Sequence, residues 1–112
     1  MVIKSLTEVP GEIVEGAGVN GVTRQILLSP KDGAPHFTMR RFTIEPGGFT
    51  FYHTHGYEHE VYVLAGQGVA RGKNSETNIV AGNAILVVPD EHHQFINTGN
   101  EPLVFLCIIP NE

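Results

Sequence analysis

Five of the six histidines in this chain fall in two short stretches, His53, His55 and His59 in one and His92 and His93 in the other, with His36 apart. Neutral imidazole is a common ligand for divalent metals. In an extended strand, residues i and i+2 point the same way about 6–7 Å apart, so His53 and His55 can present their rings to one ion. Thr54 between them then points away. Gly56 and Tyr57 read as a turn or bulge, after which His59-Glu-Val-Tyr-Val re-enters a strand and returns a third imidazole to the first two. A fourth must come from far along the chain. His93 shares its strand face with Phe95 and His92 with Gln94, so His93 is the inward one. His36 and His92 read as surface or satisfied core groups. No Ser/His/Asp set is legible, and Glu58, Glu60 and Glu91 form no persuasive pair for acid/base hydrolysis. The chemistry expected here runs through a metal.

Cys107 is the single cysteine, which excludes an intramolecular disulfide and a thiolate zinc cluster of the Cys₂His₂ or Cys₄ kind. Nitrogen and oxygen must therefore hold any ion. Cys107 itself has two readings, a small buried hydrophobe or a pocket thiol near an oxidising metal.

The elements that must position these side chains are short strands. The 112 residues and 12.2 kDa make one domain, 1–112, large enough to bury roughly two-thirds of its unfolded surface. Thirteen glycines and seven prolines fall between short apolar runs, the spacing of strands joined by turns. Strands are predicted at Gly21–Leu28, Phe37–Ile44, Thr50–His55, Glu60–Leu64, Gly68–Arg71, Thr77–Val80, Ala84–Val88, His93–Ile96 and Leu103–Ile109, with at most a turn or two of helix. Residues 1–20 form an arm that adds a strand to its own or a neighbouring sheet. The fold class is all-β, a sandwich or barrel.

Strand parity places Arg40 with Phe42 and Ile44, and His59 with Val61 and Val63. The same argument builds an apolar pocket around the ion from Phe49 and Phe51, Phe95, and Phe105 with Cys107. Arg40 is the one cation expected to enter it, where a guanidinium could take a substrate carboxylate or enolate oxygen in a bidentate pair. The last strand, Leu103-Val-Phe-Leu-Cys-Ile-Ile109, is apolar on both faces, and a homodimer is the simpler way to cover the outer one.

Seven Lys and Arg against twelve Asp and Glu give a net charge of −5 with no basic run, so nucleic acid is not an expected partner. No apolar run approaches the roughly 20 residues of a membrane span, and the N-terminus lacks the order of a signal peptide. The expected location is cytoplasmic.

The spacing of these residues resembles the cupin family over about Phe37 to Ile109. The first cupin motif is Gly, five residues, His-x-His, three or four residues, Glu, six residues, Gly; here Gly47, His53, His55 and Gly66 keep the intervals and His59 stands where glutamate is usual. Glu60 is held in reserve as third ligand, since it satisfies the first interval but brings Gly66 one residue early and lies on the opposite strand face from Val61 and Val63. In the looser second motif Gly82, Pro89, His93 and Asn97 fit, with the Pro-to-His interval one residue short and Glu91 replacing the middle glycine. His-x-x-x-Asn selects His93 again. Met39, Arg40, Phe42, Thr43, Glu45 to Gly48, Glu58 to Glu60 and Phe105 to Cys107 are similar to phrases in small single-domain cupins with four-histidine, manganese-containing sites.

The resemblance implies a double-stranded β-helix, or jelly-roll, barrel holding one divalent ion per chain on His53, His55, His59 and His93, with Mn or Fe favoured over Zn, Ni or Cu. Four neutral imidazoles leave the ion its full charge and, in six-coordination, two positions for water, dioxygen or a bidentate oxygen substrate; a closed four-coordinate structural site is the competing geometry. The leading expectation is a metal-dependent dioxygenase-like enzyme using a small substrate and O₂. A non-redox sugar-acid isomerase or ring-opening enzyme, and a ligand-binding module without turnover, are the alternatives.

Overall fold

The short apolar runs form nine strands, and a computed structural model describes residues 1–111. These are β1 (Glu12–Ile13), β2 (Asn20–Leu28), β3 (Phe37–Phe49), β4 (His59–Ala65), β5 (Gln67–Arg71), β6 (Glu76–Val80), β7 (Ala84–Val87), β8 (Gln94–Ile96) and β9 (Leu103–Pro110). Among the described residues helix is confined to single 3₁₀ turns at Leu6–Glu8 and Pro30–Asp32. The strands hydrogen-bond in the order β6-β5-β8-β3-β9-β4-β7, with β2 on β3 and β1 on β2. All the pairings are antiparallel, which lets one curved sheet close over a single core as a jelly-roll barrel.

β3 organises this closure. Its first part, Phe37 to Ile44, pairs with β9, while its last residue, Phe49, pairs with Ile96 of β8. The turn between the two partners sits at Gly47 and Gly48. Gly47 has φ +82, and a Cβ on Gly48 would lie 2.6 Å from the Asn20 carbonyl oxygen, so only glycine lets β2 approach the bend. Asn97 clamps the corner from inside: its Nδ2 donates to the carbonyls of Ile44 and Glu101, each at 2.8 Å, and its Oδ1 accepts from Gly99 N at 2.9 Å. Buried polar groups satisfied this fully hold one geometry.

Parity gives the core its membership. His59, Val61 and Val63 are buried while Glu60 and Tyr62 are exposed, and Ile44, Phe95, Leu103, Phe105 and Cys107 complete the inner layer. Each large apolar side chain so buried contributes about 1.5–3 kcal/mol. The outer face of β4, β7 and β9 exposes Tyr62, Leu64 and Leu86.

The sequence expectation fails in one element. Thr50–His55 is not a strand: among its residues only His53 forms a bridge, to His93. Thr50 N donates to the Phe95 carbonyl, but the Thr50 hydroxyl accepts the Phe95 N–H at 2.9 Å, so a side chain takes the place of the next backbone partner and the ladder stops. The N-terminal arm adds its strand to its own sheet, Ile13 lying opposite Thr23.

Candidate metal centre

The loop after β3 carries His53 and His55, β4 opens with His59, and His93 immediately precedes β8. The antiparallel bridge between His53 and His93 ties the loop to the β8 side, with N–H to carbonyl distances of 3.3 and 3.1 Å in the two directions. Ring nitrogens of His53, His55 and His93 lie within 4.8 Å of one another, a cluster able to bind a metal ion. His59 is not part of that set of three but packs against it, with its ring centroid 4.1 Å from that of His55 and 5.2 Å from that of His93. The i and i+2 argument for His53 and His55 therefore holds in a loop as it would in a strand, their centroids being 5.4 Å apart.

The rings are oriented for coordination. His55 Nδ1 lies 2.7 Å from the Tyr57 carbonyl oxygen and His93 Nδ1 lies 2.9 Å from that of Glu91. A carbonyl only accepts, so each Nδ1 carries the proton and each Nε2 keeps its lone pair. The Nε2 atoms of His55, His59 and His93 are all buried without a hydrogen-bond partner. Orphaned buried acceptors converging in an all-nitrogen set are what a divalent ion would satisfy, so these residues fit the group.

Burial favours the neutral form of His53, His59 and His93. Desolvation, followed by the neighbouring imidazoles and Arg40, pushes His59 down to about 3. His53 is lowered by desolvation and by His93, and His93 by desolvation against the opposing carbonyl of Glu91. Neutral imidazole is the ligating form.

These rings open on a cavity of about 360 Å³. Phe51, Phe95, Phe105, Cys107 and Arg40 line it, as parity predicts. Phe49 does not: it ends β3 between Asn20 and Ile96, and Phe42 takes its place, stacked on Phe105 at 5.4 Å. The stopped ladder at Thr50 breaks the alternation on which Phe49 was assigned. Arg40 lies 5.0 Å over the Phe42 ring, its Nη2 donates to Cys107 Sγ at 3.0 Å, and its Nε is buried without a partner. Cys107 Sγ is also 3.3 Å from His59 Nδ1. Burial pushes the Cys107 thiol up, with Arg40 opposing.

Sequence reasoning missed Tyr57, read as a turn residue, which stacks on His55 at 4.1 Å and lines the cavity. It also missed the wall supplied by Val14 and Val19, since the arm shows no periodicity, and by Val22 and Arg24 of β2, which lie far in sequence from the histidines. Gly16, with φ +141, lets the arm cross Phe51, where a Cβ would lie 3.1 Å from Cζ. The reserve ligand Glu60 faces outward and is exposed; His92 packs on Tyr52 at 5.5 Å and His36 is exposed, both outside the cluster.

Residues 40–109 match the Cupin domain family. The chain belongs to the cupin family. This cupin is 33% identical to the oxalate-binding protein of Thermotoga maritima over 97% of its own length and 93% of the relative's. The structure of the polyketide cyclase RemF from Streptomyces resistomycificus superposes with a TM-score of 0.93 at 32% identity, covering all of this chain and 80% of that one. A 1-methylthio-D-xylulose 5-phosphate methylsulfurylase of Rhodospirillum rubrum is 29% identical over 86% of this chain and 60% of its own. The matched region contains Arg40, the four histidines and Cys107; the wall from Val14 to Arg24 lies before it. Among the described residues no helix is long and apolar enough to cross a membrane.

Proposed function

We propose that this cupin is a metal-dependent enzyme in which His53, His55, His59 and His93 hold one divalent ion and a small oxygen-rich anion binds between that site and Arg40. The observation that carries the reading is that the orphaned Nε2 atoms and the Arg40 guanidinium line one largely apolar cavity. A bound ion supplies Lewis acidity and, as Mn or Fe, access to dioxygen chemistry. Arg40 supplies an unpaired Nε–H beside its Nη groups, a fork suited to a carboxylate or enolate oxygen pair. Phe42, Phe51, Phe95 and Phe105 keep water from that pair and strengthen it. Oxalate, named as what one relative binds, is a small oxygen-rich anion of this kind, and polyketides, named for another, are rich in carbonyl oxygens.

The leading reading is a metal-dependent oxygenase acting on that anion. The relatives named as a cyclase and a methylsulfurylase favour the second reading, non-redox carbonyl chemistry at the same site. Metal content by plasma mass spectrometry on untagged protein, then O₂ uptake by Mn- or Fe-loaded protein with diketones, dicarboxylates and styrene-like alkenes, separates them. Substrate-dependent uptake is expected. Turnover that survives strict anaerobiosis overturns the oxygenase reading in favour of the second, and binding without turnover leaves a ligand-binding module. The apolar outer face of β4, β7 and β9 supports a homodimer, which sedimentation equilibrium checks.

A further inference from the structure

His55 and His93 take their Nδ1 partners from carbonyls two residues away, whereas the partner of His59 comes from another strand. β9 lies between β3 and β4 and sets Cys107 opposite Arg40 on one side and Val61 on the other. Val61 and His59 share a face of β4, so the imidazole reaches the sulfur on the diagonal, at 3.3 Å. Arg40 meets the same sulfur at 3.0 Å. A guanidinium has no acceptor, so Sγ accepts there. If the thiol instead donated to Nδ1, His59 Nε2 would carry a proton inside a residue only 8% exposed, with no acceptor in reach. The tautomer with Nδ1–H donating to Sγ pairs the imidazole N–H and leaves unpartnered only the thiol hydrogen of Cys107, a much weaker donor.

We propose that Cys107 is a positioning residue for His59: its sulfur, held in place by Arg40, fixes the plane and tautomer of the imidazole so that Nε2 presents a lone pair to the ion. This rests on the four-histidine reading of the site. It gives Cys107 a role that is neither inert packing nor thiol chemistry. It also makes Arg40 a shared element, facing the cavity with one edge and the metal ligand's partner with the other.

The test is cobalt(II) binding, measured by competition with a chromophoric chelator, in wild type and in Cys107→Ser, Cys107→Val and His59→Ala variants, with the melting temperature of each metal-free protein as the control for folding. Serine keeps an acceptor, and binding close to wild type is expected; valine fills the space without one, and affinity is expected to fall about 10–100-fold. Nitrogen-15 spectra of metal-free wild type read the tautomer with no substitution, and Nδ1–H on His59 is expected. Cys107→Val binding cobalt as tightly as wild type while His59→Ala binds weakly, or an Nε2–H tautomer in the spectra, overturns the positioning role and leaves the four-histidine centre standing. His59→Ala binding as tightly as wild type overturns His59 as a ligand and this inference with it. Wild type that binds no cobalt overturns the centre itself.

Discussion

His59 stands at the head of β4, paired with Val87 of β7 one residue before the strand's other edge joins β9, and is 8% exposed; His53, six residues earlier, is exposed and hangs from one bridge. The two ends of the cluster are thus held by different means. On the strand side the backbone is fixed by many long-range pairings, and the imidazole is dehydrated and neutral before any ligand arrives. On the loop side the chain between β3 and β4 has few such bonds, among them Asp90 N to the His55 carbonyl at 2.8 Å. Segments with few buried contacts open at lower free energy than ladders. A site built this way keeps a preformed half and an adaptable half.

The severest way to break the comparison is to remove what supports the strand side. Phe105 lies 2% exposed beneath both Phe42 and Phe95, and Phe105→Ala is expected to cost about 3–5 kcal/mol in urea unfolding, erasing the difference by loosening everything. Next comes the ion. A metal present at 100 times its dissociation constant is expected to add about 2.7 kcal/mol of stability to wild type, since it binds only the folded chain. His59→Ala should abolish that gain, and His53→Ala should reduce it less, because the exposed loop ligand is the less preorganised; thermal melts with and without metal check both. Equal losses would show that the two halves act as one.

A smaller effect concerns protons. Burial holds His59 at about 3, below the ordinary 6.5 of the unfolded chain, and lowers His53 and His93 as well. Between these values the unfolded chain binds more protons than the folded one, so stability rises with pH. Metal-free protein is therefore expected to keep its full stability above about pH 6.5 and to lose it progressively as pH falls toward 3, as melting temperatures in matched buffers would show. Thr50→Val removes the hydroxyl that accepts the Phe95 N–H and should cost about 1 kcal/mol, with faster amide exchange at Phe95 by NMR. Glu60→Gln, on the outer face, should leave metal affinity unchanged.

Eight of the nine predicted strands formed within a few residues of their predicted bounds because alternation and turn residues agree there. The ninth failed because Thr50 bonds through its side chain, an event that periodicity cannot express. The i and i+2 pair of His53 and His55 was legible from spacing alone, and the facing of His93 from its apolar partner. Cys107 was ambiguous because what decides its environment is the β3-β9-β4 order, which brings together residues 48 and 67 positions apart. Phe49 was a parity error, counted back from His53 across Thr50, where the strand stops.

Because Val14, Val19, Val22 and Arg24 close one side of the cavity from β2 and the segment before it, ahead of the region matched to the family, one wall of the cavity and the histidine cluster lie on separable stretches of chain. That wall can therefore vary without disturbing the cluster. The same division offers the engineer a short cassette, the first two strands and the turn between them, whose exchange among relatives would reshape one side of the cavity while the histidine cluster stays as it was.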